Sequence, residues 1–143
     1  MIEAALKHAM NFFQIHAEQR MKLINFYIIL LAGSLALIGA SFKDGNYKIQ
    51  ILTGISTCVI TFIFKSLDVR TAFFVKKAEV AIDAIEKKLS DELGTEEIRI
   101  IKSSNEGSSI FSYRKSFNIL FLLGIAIGLI SIANGADTFM ARP

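Results

Sequence analysis

Two histidines, one cysteine and a row of threonines are the side chains whose type and spacing could support chemistry in this chain. His8 and His16 stand eight residues apart, which on a helix puts them on one side but two turns from each other. That is too far to share a metal ion without a third ligand. The solitary Cys58 allows neither an internal disulfide nor a cysteine metal cluster. There is no phosphate-cradling Gly-rich loop ending in Lys-Ser or Lys-Thr, and no Gly-x-Ser-x-Gly nucleophile turn. The expectation is a protein with no catalytic residue, no metal and no cofactor, in which the histidines are buried or interfacial imidazoles.

The threonines are more suggestive. Thr53, Thr57 and Thr61 recur every four residues with Ser56 beside them, so one side of a helix carries a line of hydroxyls. Surrounded by lipid, such groups bond back to their own helix, bond to a neighbouring helix or line water. Helix packing and a wet pore face both remain open. Further along, Gly124, Gly128, Ser131 and Gly135 form a stripe of small residues that lets another backbone approach closely. Ala32, Ala36 and Ala40 are a weaker parallel. With one small face used inside the chain and another left over, a homo-oligomer is expected. Arg20, Asp68 and Arg70, with His16 and Gln19 nearby, make a charge cluster that reads either as a clamp or as a latch on a resting state.

The elements that position these residues follow from hydropathy. The 143-residue chain is 52% hydrophobic, more than a soluble domain of one core readily hides. Its apolar residues gather in three blocks, 23–42, 49–64 and 117–136. At about 1.5 Å of rise per residue, roughly 20 residues cross a hydrocarbon core of about 30 Å. The outer blocks meet that length without a charge. The middle one is shorter, flanked by Lys48 and Lys65, whose stems reach toward headgroups. None of the three blocks holds Asp, Glu, Lys or Arg, which speaks against a proton-coupled pump. Thirteen of the 16 basic residues lie before the first block or between the second and third, against three elsewhere. The positive-inside rule therefore places the N-terminus and the long loop in the cytoplasm and the C-terminus outside. The first span stays as a signal anchor. The basic balance follows from topology, and no direct nucleic-acid binding is expected.

The fold class is thus all-α, an integral membrane protein with three transmembrane helices forming one domain. Residues 1–22 form an amphipathic helix leading into span 23–42, and span 47–65 runs on as a cytoplasmic helix over 66–93. Asp44, Gly45 and Asn46 are turn residues, and Gly94 is a natural helix stop. The first two spans therefore extend into the cytoplasm as an antiparallel helical hairpin, in which residues of equal height have numbers summing to about 90 by the common rise. Arg20 then lies level with Arg70 and one turn from Asp68. Whether residues 1–42 form a single helix is open. Residues 94–116 are a cytoplasmic linker in which Thr95, Glu96 and Glu97 suggest a helix start and 98–102 reads equally as helix or strand. Residues 103–109 are a flexible connector, and 117–136 is span three.

Two segments resemble a known group. Residues 12–21, Phe-Phe-Gln-Ile-His-Ala-Glu-Gln-Arg-Met, together with 64–70, Phe-Lys-Ser-Leu-Asp-Val-Arg, and 77–86, are similar to small bacterial membrane proteins of anti-phage defence, the retron-linked transmembrane effectors above all. The resemblance covers most of 10–90, with 112–117 adding a little. It implies a toxic or growth-arresting effector that cytoplasmic partners of the same operon keep silent and that disrupts the inner membrane once infection is sensed. The matching positions are His16, Ala17, Gln19, Arg20, Leu67, Asp68, Arg70 and Glu79, so that Glu79 joins the inner-interface cluster. Thr71 stands where the group often has Asn, a departure in the second motif. A non-toxic anchor or scaffold that recruits a cytoplasmic partner through the hairpin is the alternative.

Overall fold

Freedom from helix breakers decides the architecture. No proline precedes Pro143, and the helices of the computed structural model run almost unbroken wherever glycine does not stop them. The structure describes residues 2–102 and 113–141. Helix α1 is Ile2–Lys43, α2 is Tyr47–Leu93 and α3 is Tyr113–Met140. All three are long and apolar enough to cross a membrane. Residues 2–42 therefore lie in one helix, the point the sequence left open.

The turn between α1 and α2 shows how three residues end one helix and start the next. Gly45 takes a left-handed φ of 61°, which a side chain would oppose. Its N–H donates to the Phe42 carbonyl at 3.3 Å, and the Asn46 N–H donates to the Ser41 carbonyl at 3.1 Å, the paired bonds that close a helix C-terminus. Asn46 then caps α2, its Oδ1 accepting from the Ile49 N–H at 3.3 Å. Gly94, with φ 67°, ends α2 in the same left-handed conformation. Beyond it Arg99 N–H donates to the Glu96 carbonyl in a turn, and helix resumes at 100–102, so the segment that read equally as helix or strand is not a strand over these residues. The connector expected at 103–109 lies outside the described residues.

The chain divides into two units. The first is Met1–Lys22 with Asp68–Ser112, and the second is Leu23–Leu67 with Tyr113–Pro143. In the first, Ala9 of α1 and Ala78 and Ile82 of α2 are buried. Phe12, His16 and Phe74 form an aromatic knot, His16 stacking on Phe74 at 4.9 Å between centroids. The segment after α2 is held against it: Arg99 pairs with Asp83 at 3.3 Å, and the Ile101 N–H donates to the buried Glu86 carboxylate at 3.1 Å.

The second unit is turned inside out relative to a water-soluble bundle. Its apolar core is small, Ile24, Tyr27, Leu31 and Phe121. Ser41, Gln50, Thr53, Thr57, Thr61 and Ser131 are buried, while Phe26, Ile29, Leu52, Phe62, Leu122 and Ile130 are exposed. The small stripe of α3 is what draws the helices together. A methyl group on Gly54 would come within 2.7 Å of the Gly128 carbonyl and of Ile132, and one on Gly135 within 2.6 Å of Ile51. By contrast, Gly33 and Gly39 of α1 face open space, beside exposed Ala32, Ala36 and Ala40.

A comparison of two leucine substitutions checks this packing. Overfilling a tight contact costs about 1–3 kcal/mol. Gly124→Leu is expected to lower the thermal midpoint in detergent, because its side chain meets Tyr27 and Thr61. Gly39→Leu is expected to leave it unchanged, and equal midpoints for the two would contradict the seam described.

Candidate functional site

The hydroxyl face of α2 and the small face of α3, separate features in the sequence, meet in the second unit. Thr57 and Thr61 each donate to the carbonyl one turn back, at 2.7 Å to Thr53 and Thr57 respectively. This back-bonding satisfies a hydroxyl without water. Tyr27 of α1 brings its phenol within 3.0 Å of Thr61 Oγ1, and Gly124 of α3 leaves the room for that pair. Ser131 Oγ donates to the Gln50 carbonyl at 2.8 Å, a hydrogen bond between α3 and α2. Gln50 Nε2 donates to the Ser41 carbonyl of α1 at 3.1 Å. Ser41, Gln50, Thr53, Thr57, Ser131, Thr61 and the Tyr27 phenol thus form a buried polar column among three helices.

Of the residues the sequence singled out, Thr53, Thr57, Thr61, Gly124, Gly128, Ser131 and Gly135 come together at this seam. Ser56 does not: it is exposed on another side of α2. Ser41, Gln50, Tyr27 and Gly54 escaped the sequence reading. Gln50 extends the threonine line by one turn, a signal that was there to be found.

The inner-interface cluster resolves into separate contacts within the first unit. Arg20 and Asp68 pair at 2.7 Å, with a second bond from Nη2 to Oδ2 at 3.5 Å, and both side chains are largely buried. His16 Nδ1 lies 3.0 Å from Gln19 Oε1. Arg70 sits over the Phe74 ring at 5.9 Å, and Glu79 pairs with Lys76 at 2.9 Å. The salt-bridge partner of Arg20 is Asp68, two residues from the position of equal height, because a carboxylate offers a bidentate acceptor where another guanidinium would repel. Among the described residues, no group of three His, Cys, Asp or Glu side chains is placed to hold a metal ion.

CD-NTase-associated protein 19 of Escherichia coli is 34% identical to this chain over 147 aligned residues, which cover 96% of this chain and 93% of that protein. The chain belongs to the CD-NTase-associated protein 19 family. No family model matches it, and no solved structure does. The relative is named for association with a CD-NTase, so the family link runs through that association and not through the retron-linked comparison.

Removing one partner of a buried ion pair strands the other, at a cost on the order of 3 kcal/mol. Arg20→Ala and Asp68→Ala are each expected to destabilise the protein in a chemical-denaturation series. The double variant is expected to recover part of the loss, and strictly additive effects would contradict a direct pair.

Proposed function

We propose that this protein is a membrane effector of a bacterial anti-phage defence system that oligomerises in the inner membrane and permeabilises it on activation, so that the infected cell stops growing. The observation that carries this reading is the inside-out second unit, which hides its hydroxyls and presents leucine, isoleucine and phenylalanine outward. Such a surface suits hydrocarbon and not water. The three crossings leave the N-terminus and the 66–116 region in the cytoplasm and the C-terminus outside, in keeping with the bias of lysine and arginine. Family membership supplies the defence setting: a relative named for association with a CD-NTase suggests that the regulatory complex for this chain contains a nucleotidyltransferase of that kind. The cytoplasmic unit is the part that partner would engage. The exposed Ala32, Ala36 and Ala40 of α1 leave a small face for a second copy. No chemistry on a substrate is required, and no cofactor.

One observation favours the scaffold alternative. The first unit has an open apolar groove of about 410 Å³ lined by Met10, Phe13, Ala17, Ile82, Ile100 and Ile101. A groove of this kind takes an apolar helix or loop of a partner, and an anchor needs nothing more.

Expression under activating conditions separates the two readings. A permeabilising effector collapses the membrane potential, read with a voltage-sensitive dye, and Thr57→Val relieves the collapse at equal membrane level. Cells that keep normal potential and viability contradict it. A scaffold loses its activity on Phe13→Asp while Thr57→Val has no effect.

A further inference from the structure

The membrane-facing surface of this chain and its interior differ in what they offer to water. On the outside of α2 the exposed side chains are mostly apolar, Leu52, Ile55, Val59 and Phe62, with the Ser56 hydroxyl among them. A channel walled by such residues between intact copies would be dry, since apolar constrictions shed water. The polar wall is inside: Gln50, Thr53, Thr57 and Thr61 follow one another along α2, with Ser131 of α3 opposite.

Gln50 adds an independent sign that this interior is made for a polar guest. Its side chain is 2% exposed, and its Oε1 has no hydrogen-bond partner among the described residues. The residue lies where three helices meet, giving its amide nitrogen to Ser41 of α1 and its backbone carbonyl to Ser131 of α3. A buried amide oxygen without a donor is a place where water is the natural partner. The polar ties of α3 to α2 along this wall include, among the described residues, the Ser131–Gln50 bond, a contact of the Cys58 thiol with the Ile125 carbonyl at 3.9 Å and a Lys65–Asn118 hydrogen bond at the far end. Between them the seam is glycine against backbone, contact that depends on close approach and is lost as a whole when the helices part.

We propose that the conducting path opens inside the single chain, by separation of α3 from α2, so that Gln50, Thr53, Thr57, Thr61 and Ser131 become the wall that water and small hydrated ions follow. This rests on the permeabilising reading above. In the closed chain the hydroxyls of Thr57 and Thr61 are occupied by their own helix; in the open one their remaining acceptor lone pairs, and the Gln50 oxygen, face the path.

The native Cys58 allows the seam to be stapled. A β-carbon at position 128 would crowd the Cys58 sulfur at 2.5 Å and the Gly54 carbonyl at 2.9 Å, so Gly128→Cys sets two cysteines side by side, and a small shift of the Cys58 side chain is needed to bring them to disulfide geometry. The purified full-length chain is reconstituted in liposomes loaded with potassium, and release is measured after oxidation and again after reduction. A monomer band that shifts on a non-reducing gel marks the staple as internal to one chain. The expected result is that the oxidised Gly128→Cys protein releases no more potassium than protein-free liposomes, and that reduction restores release to the unmodified level. Undiminished release from the stapled protein overturns the proposal and places the path between intact chains. If neither the unmodified protein nor the reduced variant releases potassium, the permeabilising reading itself fails, and this one with it. Should Gly128→Cys not fold, Ile51→Cys with Gly135→Cys in a Cys58→Ser background staples the opposite part of the same seam, where a β-carbon on 135 would meet Ile51 at 2.6 Å, with the same two readings of the result.

Discussion

A polar atom in hydrocarbon has no water to turn to, and under the proposed membrane role that constraint orders the second unit of this protein. The hydroxyls of Thr57 and Thr61 each have a backbone partner, Thr61 has the Tyr27 phenol as well, and the serine of α3 reaches across to α2 for its own. Leaving such a group unpaired in an apolar surround would cost several kcal/mol, by roughly the scale of amide or hydroxyl transfer. Turning the hydroxyls inward is therefore the lower-energy arrangement once the outside is lipid. The glycines serve the same end. Gly124 clears space for the Tyr27–Thr61 pair, and Gly54 with Gly128 lets two backbones close to a distance at which hydroxyls can bridge.

The first unit is built differently. Its contacts are those of a soluble helical pair: buried alanines that allow close approach, an aromatic knot around His16, and charges arranged in pairs. Its ion pairs are of unequal weight. Lys76–Glu79 is largely exposed and contributes little to stability. Arg20–Asp68 is largely buried, and either charge alone would be costly. A contact of that kind suits an element that must hold one arrangement until a partner changes it, in keeping with the proposed silencing by a cytoplasmic complex.

Much of the fold was legible in the sequence because the signals were strong and local. Long apolar runs without proline gave the three helices, Asp44-Gly45-Asn46 gave the turn, and Gly94 gave the stop. The two faces of the candidate site were legible as well, since a four-residue repeat of threonine or glycine stands out against an apolar background. Their meeting was not, because periodicity tells which residues share a side and not which helix they will touch. Ser41 and Tyr27 were missed for a related reason: a single polar residue within an apolar run has no period, whereas Gln50 continued the threonine line by one turn and was legible in principle. Ser56 was grouped with the threonines by proximity, although its place on the helix turns it outward. Height along two rods is fixed only to about a turn of 3.6 residues, and charge had to choose between Asp68 and Arg70 as the neighbour of Arg20.

The proposed role stands on the three apolar helices crossing a bilayer, an odd number that puts the ends of the chain on opposite sides. Cells are lysed without detergent and separated by ultracentrifugation, and tags fused at Met1 and Pro143 are probed for protease access from either side of the membrane. Three crossings require the protein in the membrane pellet, with the first tag reachable from the cytoplasm and the second from outside. Recovery in the supernatant, or both tags in one compartment, would contradict them.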